Sequence, residues 1–149
     1  ENQRILYGER YGDIIVYKSS IESIYIDRNE IPELIDEIPA LAVLAAKKKK
    51  KIVVRGASEL RVKESDRIKS IVENMKSFGV GVIEYSDGFK IEKNKLYNAS
   101  IKTFSDHRIA MAFYILSKSL GSLPGLDNEK CINKSYPRFI EDINRVIND

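Results

Sequence analysis

The sequence predicts an α/β fold in which helices pack against a sheet, and two observations support this. Short segments rich in Ile, Val and Tyr, which favour strands, alternate along the chain with segments whose apolar residues recur at helical spacing. The chain also repeats itself, because Ser65–Ile68 is echoed by Ser105–Ile109, each directly before a helical pattern. The repeat predicts a little under two βαβαββ units.

The length and composition of the chain limit the classes of protein to which it can belong. The chain has 149 residues, of which 43% are hydrophobic, and a net charge of +3. We therefore expect a single globular domain over residues 1–149. With one cysteine, Cys131, and one histidine, His107, neither an internal disulfide nor a zinc site of the usual composition can form. No membrane-spanning run or signal peptide is evident, which fits a cytoplasmic protein, and the start at Glu1 predicts a fragment of something longer.

The first half of the chain predicts three strands and two helical segments. Pro39 cannot lie inside a continuing helix without cost, so we place a break there and begin a new, Ala-rich helix that is apolar nearly all round and therefore buried. The predicted elements are strands at Asp13–Tyr17, Ser23–Asp27 and Ile52–Val54, a helical turn opened by Ile31 and Pro32 with Pro32 at its first position, and a helix from about Pro39 to Ala46.

The next helix is the best marked. Ile68, Ile71, Val72 and Met75 share one face, and Gly79 follows where the helix should end. Ser65 is the predicted N-cap, with Asp66 in the first turn.

The second half of the chain begins with a hairpin. Asp87-Gly88 predicts a turn that needs positive φ, between strands at Val80–Glu84 and Phe89–Glu92. The elements predicted after it are a strand at Ser100–Thr103, a helix opened by residues 105–108, a turn-rich connection over Gly121–Gly125, and a last helix begun by Tyr136 and Pro137.

Basic residues stand at the start of the best-marked helix. Lys63 and Arg67 oppose the helix dipole there, and this arrangement becomes favourable when an anion binds the free backbone N–H groups. The stretch from Arg61 to Arg67 therefore predicts an anion site that includes the carboxylate of Glu64.

The repeat would bring several charged helix starts to one rim. Asp36 precedes Asp106 by the same number of positions as Glu64 precedes Lys134. Arginine suits bidentate binding of carboxylate or phosphate, and Asp36 and Glu64 could act as general acid and base. The residues expected at the rim are Asp36, Lys63, Glu64, Arg67, Asp106, His107, Arg108 and Lys134.

Each of these residues could have a purely structural role instead of a role in an anion site. Arg67 could pair with Glu64 or Asp66 on a solvated helix face, His107 could be a local capping or hydrogen-bonding residue, and Asp36 could only cap the helix after Pro39. Cys131 lacks an evident base, which argues against nucleophilic catalysis. Spacing and charge alone support an anion-binding α/β domain.

Four segments resemble one known family. Leu60–Ile68 resembles the signature of the enolpyruvylshikimate phosphate synthases, the 3-phosphoshikimate 1-carboxyvinyltransferases. Asp106–Ala112 and Lys134–Phe139 resemble its later motifs, and Ile35–Pro39 resembles the helix start that bears its catalytic aspartate. The matches follow the family's order and spacing over essentially the whole chain.

The resemblance implies a reaction and a fold. Members transfer the carboxyvinyl group of phosphoenolpyruvate to the 5-hydroxyl of shikimate 3-phosphate and release phosphate, in the shikimate pathway to chorismate and aromatic amino acids. They consist of two similar domains, each an inside-out α/β barrel of three βαβαββ units, that close on the substrates. The family's N-terminal motifs are absent, so we expect the C-terminal third of an enzyme that is monomeric when complete, and an isolated piece that is inactive.

The resemblance also implies roles for individual residues. Asp36 would take the proton from the attacking hydroxyl, Glu64 would protonate the methylene carbon of phosphoenolpyruvate, and Lys63 would bind shikimate 3-phosphate. The residues implied to hold phosphoenolpyruvate, where glyphosate competes, are Arg67, Arg108 and Lys134, with His107 as a supporting neighbour. No metal or other cofactor is implied, and the partners are the two substrates and the missing N-terminal domain, without nucleic acid or membrane.

Two other functions remain open. The related UDP-N-acetylglucosamine carboxyvinyltransferases share the fold and the use of phosphoenolpyruvate, although the stretch Arg61–Arg67 argues against them. The five consecutive lysines Lys47–Lys51 stand where the family has a short turn with glycine. We interpret them as a solvated turn, and the alternative is a polyanion-binding module, for which aromatic platforms and a basic stripe are lacking.

Overall fold

The structure is a computed structural model that describes residues 2–17, 19–20 and 22–148. Its strands are β1 (Arg4–Leu6), β2 (Glu9–Tyr11), β3 (Ile24–Ile26), β4 (Ile52–Val54), β5 (Val80–Tyr85) and β6 (Gly88–Asn94). Its helices are α1 (Ile31–Leu34), α2 (Ile38–Lys47), α3 (Arg67–Ser77), α4 (His107–Ser119) and α5 (Phe139–Asn148), with 3₁₀ segments at Ser58–Val62 and Glu129–Lys134. No helix among the described residues is both long and apolar enough to cross a membrane.

The main sheet contains one complete βαβαββ unit. Its strand order is β3-β4-β6-β5, in which β3 and β4 are parallel and β6 is antiparallel to both of its neighbours. The helices α1 and α2 connect β3 to β4, α3 connects β4 to β5, and a hairpin joins β5 to β6. The predicted α/β class is therefore confirmed.

A second, reduced unit follows the first. Ile101 and Leu126 form an isolated parallel bridge on either side of α4, as β3 and β4 do on either side of α2. The predicted strand at Ser100–Thr103 is wrong beyond this single bridge, because Ile101 exchanges strand-like hydrogen bonds with Gly125 and Asp127, whereas the backbone of Lys102 bonds the side chain of Asn74. In this comparison α4 corresponds to α2 and α5 to α3, which agrees with the equal spacings from Asp36 to Asp106 and from Glu64 to Lys134. The echo of Ser65–Ile68 in Ser105–Ile109 instead joins the starts of α3 and α4, which are not corresponding helices.

The N-terminal strand was misplaced by the sequence prediction. The chain forms an antiparallel hairpin of β1 and β2 around Tyr7 and Gly8, both at positive φ, and Asp13–Tyr17 is not a strand. Strand-favouring residues form a strand only where a neighbouring backbone pairs with them, and none of the described strands does so here. Every described residue from 2 to 17 is exposed.

The core joins the sheet to α2, α3 and α4. The predicted Ala-rich helix is confirmed, and Ile38, Ala42, Ala45 and Ala46 are completely buried, although Leu44 on its other side is 37% exposed. Small side chains on α2 let it lie close to α4. The starts of α2, α3 and α4 come together at one edge of the core, because Arg67 at the start of α3 binds both Asp36, just before α2, and Asp106, the N-cap of α4.

Three details of the predicted boundaries are wrong. The N-cap of α3 is Asp66, which accepts from the backbone N–H of Lys69 at 3.0 Å, and Ser65 instead donates its hydroxyl to Asp106. The last helix begins at Phe139 rather than at Tyr136. Pro32 follows the first residue of α1 rather than opening it.

The β5–β6 hairpin is confirmed, but the reason for its glycine is different. Neither Asp87 nor Gly88 has positive φ. A Cβ at Gly88 would lie 1.9 Å from the carbonyl oxygen of Val54, so the close approach of β4 is what requires glycine there. Gly79 does have positive φ, at +77°, as expected of a residue that ends a helix.

Candidate active site at the helix starts

Arg67 lies at the centre of the site. It is the first residue of α3, and its side chain is 1% exposed. Its Nε donates to Asp106 Oδ2 at 2.8 Å, one terminal nitrogen donates to Asp36 Oδ1 at 2.8 Å, and the other donates to Glu64 Oε2 at 2.5 Å. Arg67, these three carboxylates and Arg108 are called the Arg67 cluster below.

Each carboxylate of the cluster comes from a different helix start. Asp36 lies in the turn between α1 and α2, and Glu64 lies in the loop before α3. Asp106 is the N-cap of α4, where its Oδ1 accepts from the backbone N–H groups of Arg108 at 2.9 Å and Ile109 at 3.4 Å. The packing of α2, α3 and α4 therefore brings together groups that are far apart in the sequence.

Asp36 bridges two arginines. Its Oδ1 accepts from Arg67, and its Oδ2 lies 3.1 Å from a terminal nitrogen of Arg108. The other terminal nitrogen of Arg108 donates to the backbone carbonyl of Asp36 at 3.1 Å. Asp36 therefore does not cap α2, whose N-cap residue, Glu37, has no side-chain capping bond.

Electrostatic interactions within the cluster favour the charged forms of Asp36 and Arg67. Burial alone would raise the pKa of Asp36, but the hydrogen bond from Arg67 and the positive charges of Arg108 and Lys63 outweigh it, and the pKa of Asp36 is lowered. Burial alone would lower the pKa of Arg67, but the hydrogen bonds to Asp106 and Asp36 raise it. Because the charge of Lys63 acts on Asp36, Lys63 belongs to the same electrostatic neighbourhood.

Arg61 fixes the loop that carries Lys63 and Glu64. Its guanidinium donates to the carbonyls of Ser86 and Tyr85, both at 2.7 Å, and forms ion pairs with Asp66 at 2.8 Å and Glu84 at 2.9 Å. These contacts attach the loop to the turn of the β5–β6 hairpin. Sequence reasoning gave Arg61 no role of its own.

Two of the residues expected at the rim form no hydrogen bond or ion pair with the Arg67 cluster among the described residues. Lys134 ends the second 3₁₀ segment, is exposed, and forms no ion pair among the described residues. His107 is the first residue of α4, and its Nδ1 is buried without a hydrogen-bond partner, so this nitrogen caps nothing.

A small cavity opens beside the cluster. It has a volume of about 180 Å³, and Asp36 and Arg108 form its polar side. Tyr136 and Phe139, which follow Lys134 in the chain, line it as well. Among the described residues there is no group of three or more His, Cys, Asp or Glu side chains that could hold a metal ion.

Asp106 and Arg61 are the members of the site that sequence reasoning left without a role. The available signal for Asp106 was its position directly before a helical pattern, which indicates an N-cap. Nothing local indicated that its second oxygen would meet Arg67 on another helix.

Comparison with known proteins assigns the chain to a family. The family model described as EPSP synthase (3-phosphoshikimate 1-carboxyvinyltransferase) matches residues 8–143. The chain is 45% identical over 149 residues to the 3-phosphoshikimate 1-carboxyvinyltransferase of Aquifex aeolicus, covering 99% of this chain and 35% of that protein. It is 40% identical over 148 residues to that of Oceanobacillus iheyensis, covering 99% of this chain and 34% of that protein.

Solved structures agree with this assignment. The EPSP synthase of Acinetobacter baumannii superposes with a TM-score of 0.88 and 34% sequence identity, covering 97% of this chain and 35% of that one. The chain thus spans about a third of the length of the relatives it matches. It belongs to the EPSP synthase (3-phosphoshikimate 1-carboxyvinyltransferase) family.

Proposed function

We propose that the chain supplies the proton-transferring carboxylates and part of the anion-binding cations of a 3-phosphoshikimate 1-carboxyvinyltransferase. The reaction joins the 5-hydroxyl of shikimate 3-phosphate to the enolpyruvyl group of phosphoenolpyruvate and releases phosphate. The observation that carries the proposal is that Arg67 binds Asp36 and Glu64 at the same time, with Arg108 on the second oxygen of Asp36.

The proposed steps use these two carboxylates. Asp36 takes the proton of the 5-hydroxyl of shikimate 3-phosphate, and the oxygen of that hydroxyl attacks C2 of phosphoenolpyruvate. In the same step Glu64, in its protonated form, gives a proton to the methylene carbon. Glu64 then removes a proton from the resulting methyl group as phosphate leaves, which restores the carbon–carbon double bond. Arg67, Arg108 and the lysines stabilise the anionic groups throughout.

Substrate binding and proton transfer are coupled in this scheme. Asp36 is a weak base in the structure because two arginines stabilise its charged form. An anionic substrate group at Arg108 competes with Asp36 for that guanidinium. The pKa of Asp36 then moves toward its ordinary value, and Asp36 becomes a better base when phosphoenolpyruvate is present.

The remaining assignments rest on the resemblance of their motifs to those of the family. Lys63, near Asp36, is proposed to bind shikimate 3-phosphate. Arg67, Arg108 and Lys134 are proposed to hold phosphoenolpyruvate, where glyphosate would compete, with His107 beside them. The burial of Arg67 means that it contacts a substrate only after the cluster rearranges.

The proposed partner is the rest of the enzyme. Large apolar side chains are exposed on the N-terminal segment, as expected of a surface that another part of the protein covers. They are Ile5, Leu6, Tyr7, Tyr11, Ile14, Ile15, Val16 and Tyr17. We propose that residues 1–149 form a part of one domain, inactive alone, of a monomeric cytoplasmic enzyme, in keeping with the free thiol of Cys131.

A chimera tests the function directly. This chain replaces the matching third of the Aquifex aeolicus relative, and phosphate release is measured with shikimate 3-phosphate and phosphoenolpyruvate, with the parent enzyme as positive control. We expect turnover, and a loss of about 10²- to 10⁴-fold in kcat for Asp36→Asn or Glu64→Gln. Glu33→Gln, at an exposed position of α1 outside the cluster, should leave kcat unchanged.

Two results in the chimera would contradict the proposed function or the proposed residue roles. A chimera that folds, as judged by a cooperative thermal transition, but neither binds the two substrates nor releases phosphate contradicts the proposal. Turnover that survives both carboxylate substitutions would refute the assigned roles.

A further inference from the structure

We propose that Asp106 is a positioning residue that holds Arg67 so that its two terminal nitrogens face Asp36 and Glu64. The inference rests on the proposed function for its catalytic consequence, but the positioning itself can be measured without turnover. Neither the repeat nor the expected site residues gave Asp106 this role.

Asp106 is bonded at both oxygens. It is completely buried, its Oδ1 accepts from the first backbone N–H groups of α4, and its Oδ2 accepts from Arg67 Nε at 2.8 Å and Ser65 Oγ at 3.1 Å. The carboxylate therefore cannot rotate without breaking bonds to the helix. It gives Arg67 a fixed acceptor that is anchored to α4.

A fixed Nε defines where the rest of the guanidinium points. The group is planar, and its donors keep a fixed relative geometry, so an anchored Nε determines the directions of both terminal nitrogens. These nitrogens bind Asp36 and Glu64 at 2.8 and 2.5 Å. Among the contacts of the described residues, Arg67 is the only partner of the Glu64 carboxylate, whose side chain is 46% exposed.

The position of the Glu64 carboxylate therefore depends on Asp106 through Arg67. The position of the Asp36 carboxylate depends on Asp106 less, because Arg108 also binds Asp36. Loss of the Asp106 contact should thus misplace Glu64 more than Asp36. This asymmetry distinguishes positioning from a general loosening of the fold.

The substitution Asp106→Asn separates helix capping from positioning. Asparagine caps a helix about as well as aspartate does. When the oxygen of the new asparagine side chain accepts from the α4 amides, its NH₂ group points toward the Nε–H of Arg67. Both of these groups are donors, so the hydrogen bond between them is lost. The matched control is Asp127→Asn, which makes the same change in a carboxylate that binds Thr103 instead of Arg67.

The first readout is NMR of the 149-residue chain. We expect the Arg67 Nε–H resonance to exchange slowly with water in the parent chain, and to shift or broaden in Asp106→Asn while the α4 backbone amides stay in place. The side-chain carboxyl ¹³C chemical shift of Glu64 at pH 7 should change more than that of Asp36, because Arg108 also binds Asp36. Asp127→Asn should change neither. An unchanged Arg67 resonance and an unchanged Glu64 carboxyl chemical shift in Asp106→Asn overturn the proposal.

A second variant covers the case in which Asp106→Asn does not fold. Arg67→Lys keeps the positive charge but cannot bind three carboxylates in a fixed geometry. It should also change the side-chain carboxyl ¹³C chemical shift of Glu64, and a Glu64 chemical shift like that of the parent chain would overturn the proposal.

The second readout is kinetic, in the chimera. Asp106→Asn should lower kcat by about 100-fold, because small misplacements of reacting groups have effects of this size, while KM for shikimate 3-phosphate changes little. A normal kcat together with a displaced Arg67 resonance would overturn the catalytic consequence. An inactive parent chimera would instead count against the proposed function, while the NMR readout still decides the positioning.

Discussion

Arg67 and Asp106 stand at the first turns of different helices, and Arg67 Nε donates to Asp106 Oδ2 at 2.8 Å with both side chains buried. The contact joins α3 to α4 at the edge of the core. Because neither charge is in water, each depends on the other for its solvation. The same contact thus contributes both to the stability of the fold and to the geometry of the site.

Removal of Arg67 should strongly destabilise the chain. Arg67→Met leaves the Asp106 carboxylate buried without its ionic partner, and we expect a loss of about 3–5 kcal/mol in the free energy of unfolding. Chemical denaturation of the 149-residue chain measures it.

An exposed arginine serves as the control for that measurement. Arg138 is 65% exposed and forms only long ion pairs with Glu141 and Asp142, so Arg138→Ala should cost less than about 1 kcal/mol. In the double variant with Asp106→Asn, Arg67→Met should be less damaging than alone. Equal effects at Arg67 and Arg138 would contradict the buried pair.

The pH dependence of stability should report the state of Asp36. Its pKa is lowered from 3.8 in the folded chain, so the unfolded chain binds its proton first as pH falls. The contribution of Asp36 is therefore fully present above its unfolded pKa and is lost as pH falls through the lower, folded value.

Thermal unfolding between about pH 7 and about pH 3 measures this contribution. The decline in Tm over the acid limb should be shallower for Asp36→Asn than for the parent chain. Glu33→Gln, outside the cluster, provides the comparison. If the Tm of Asp36→Asn falls with pH as steeply as the Tm of the parent chain, the arginines do not stabilise the Asp36 carboxylate.

Truncation of Arg61 should loosen the loop before α3. Arg61→Ala removes two ion pairs and two hydrogen bonds to carbonyls, and we expect a loss of about 1.5–3 kcal/mol together with faster amide exchange at Lys63 and Glu64. Hydrogen exchange followed by NMR measures the second effect.

Arg61→Lys is the matched variant for this test. Lysine keeps the charge but not the planar set of donors, so it should restore only part of the stability. Complete restoration by lysine would show that charge alone, rather than the geometry of the guanidinium, holds the loop.

A methyl group at Gly88 should separate β4 from β6. Its Cβ would lie 1.9 Å from the carbonyl oxygen of Val54, so Gly88→Ala should cost about 1–3 kcal/mol or more. Gly125→Ala is the control, because nothing lies within 4 Å of its added Cβ. Calorimetry of both variants compares them, and equal transition temperatures would contradict the close approach of the strands.

Local patterns explain what could be predicted. The apolar periodicity of α3 and the buried alanines of α2 follow from spacings of three and four residues, and Asp87-Gly88 marked the hairpin. The strand predicted at Asp13–Tyr17 failed because strand formation needs a partner, which composition does not supply. The sequence predicted Ser65 as the N-cap of α3, and only the backbone geometry showed that Asp66 takes this position.

The sequence by itself determined which segments form helices and that charged residues stand near their starts, because capping and periodicity act over a few neighbouring residues. Only the tertiary structure decided which acid each arginine meets, that Arg67 is buried, and that Asp106 joins two helices. Those contacts connect segments distant in the chain, and their distances depend on how α2, α3 and α4 pack against one another.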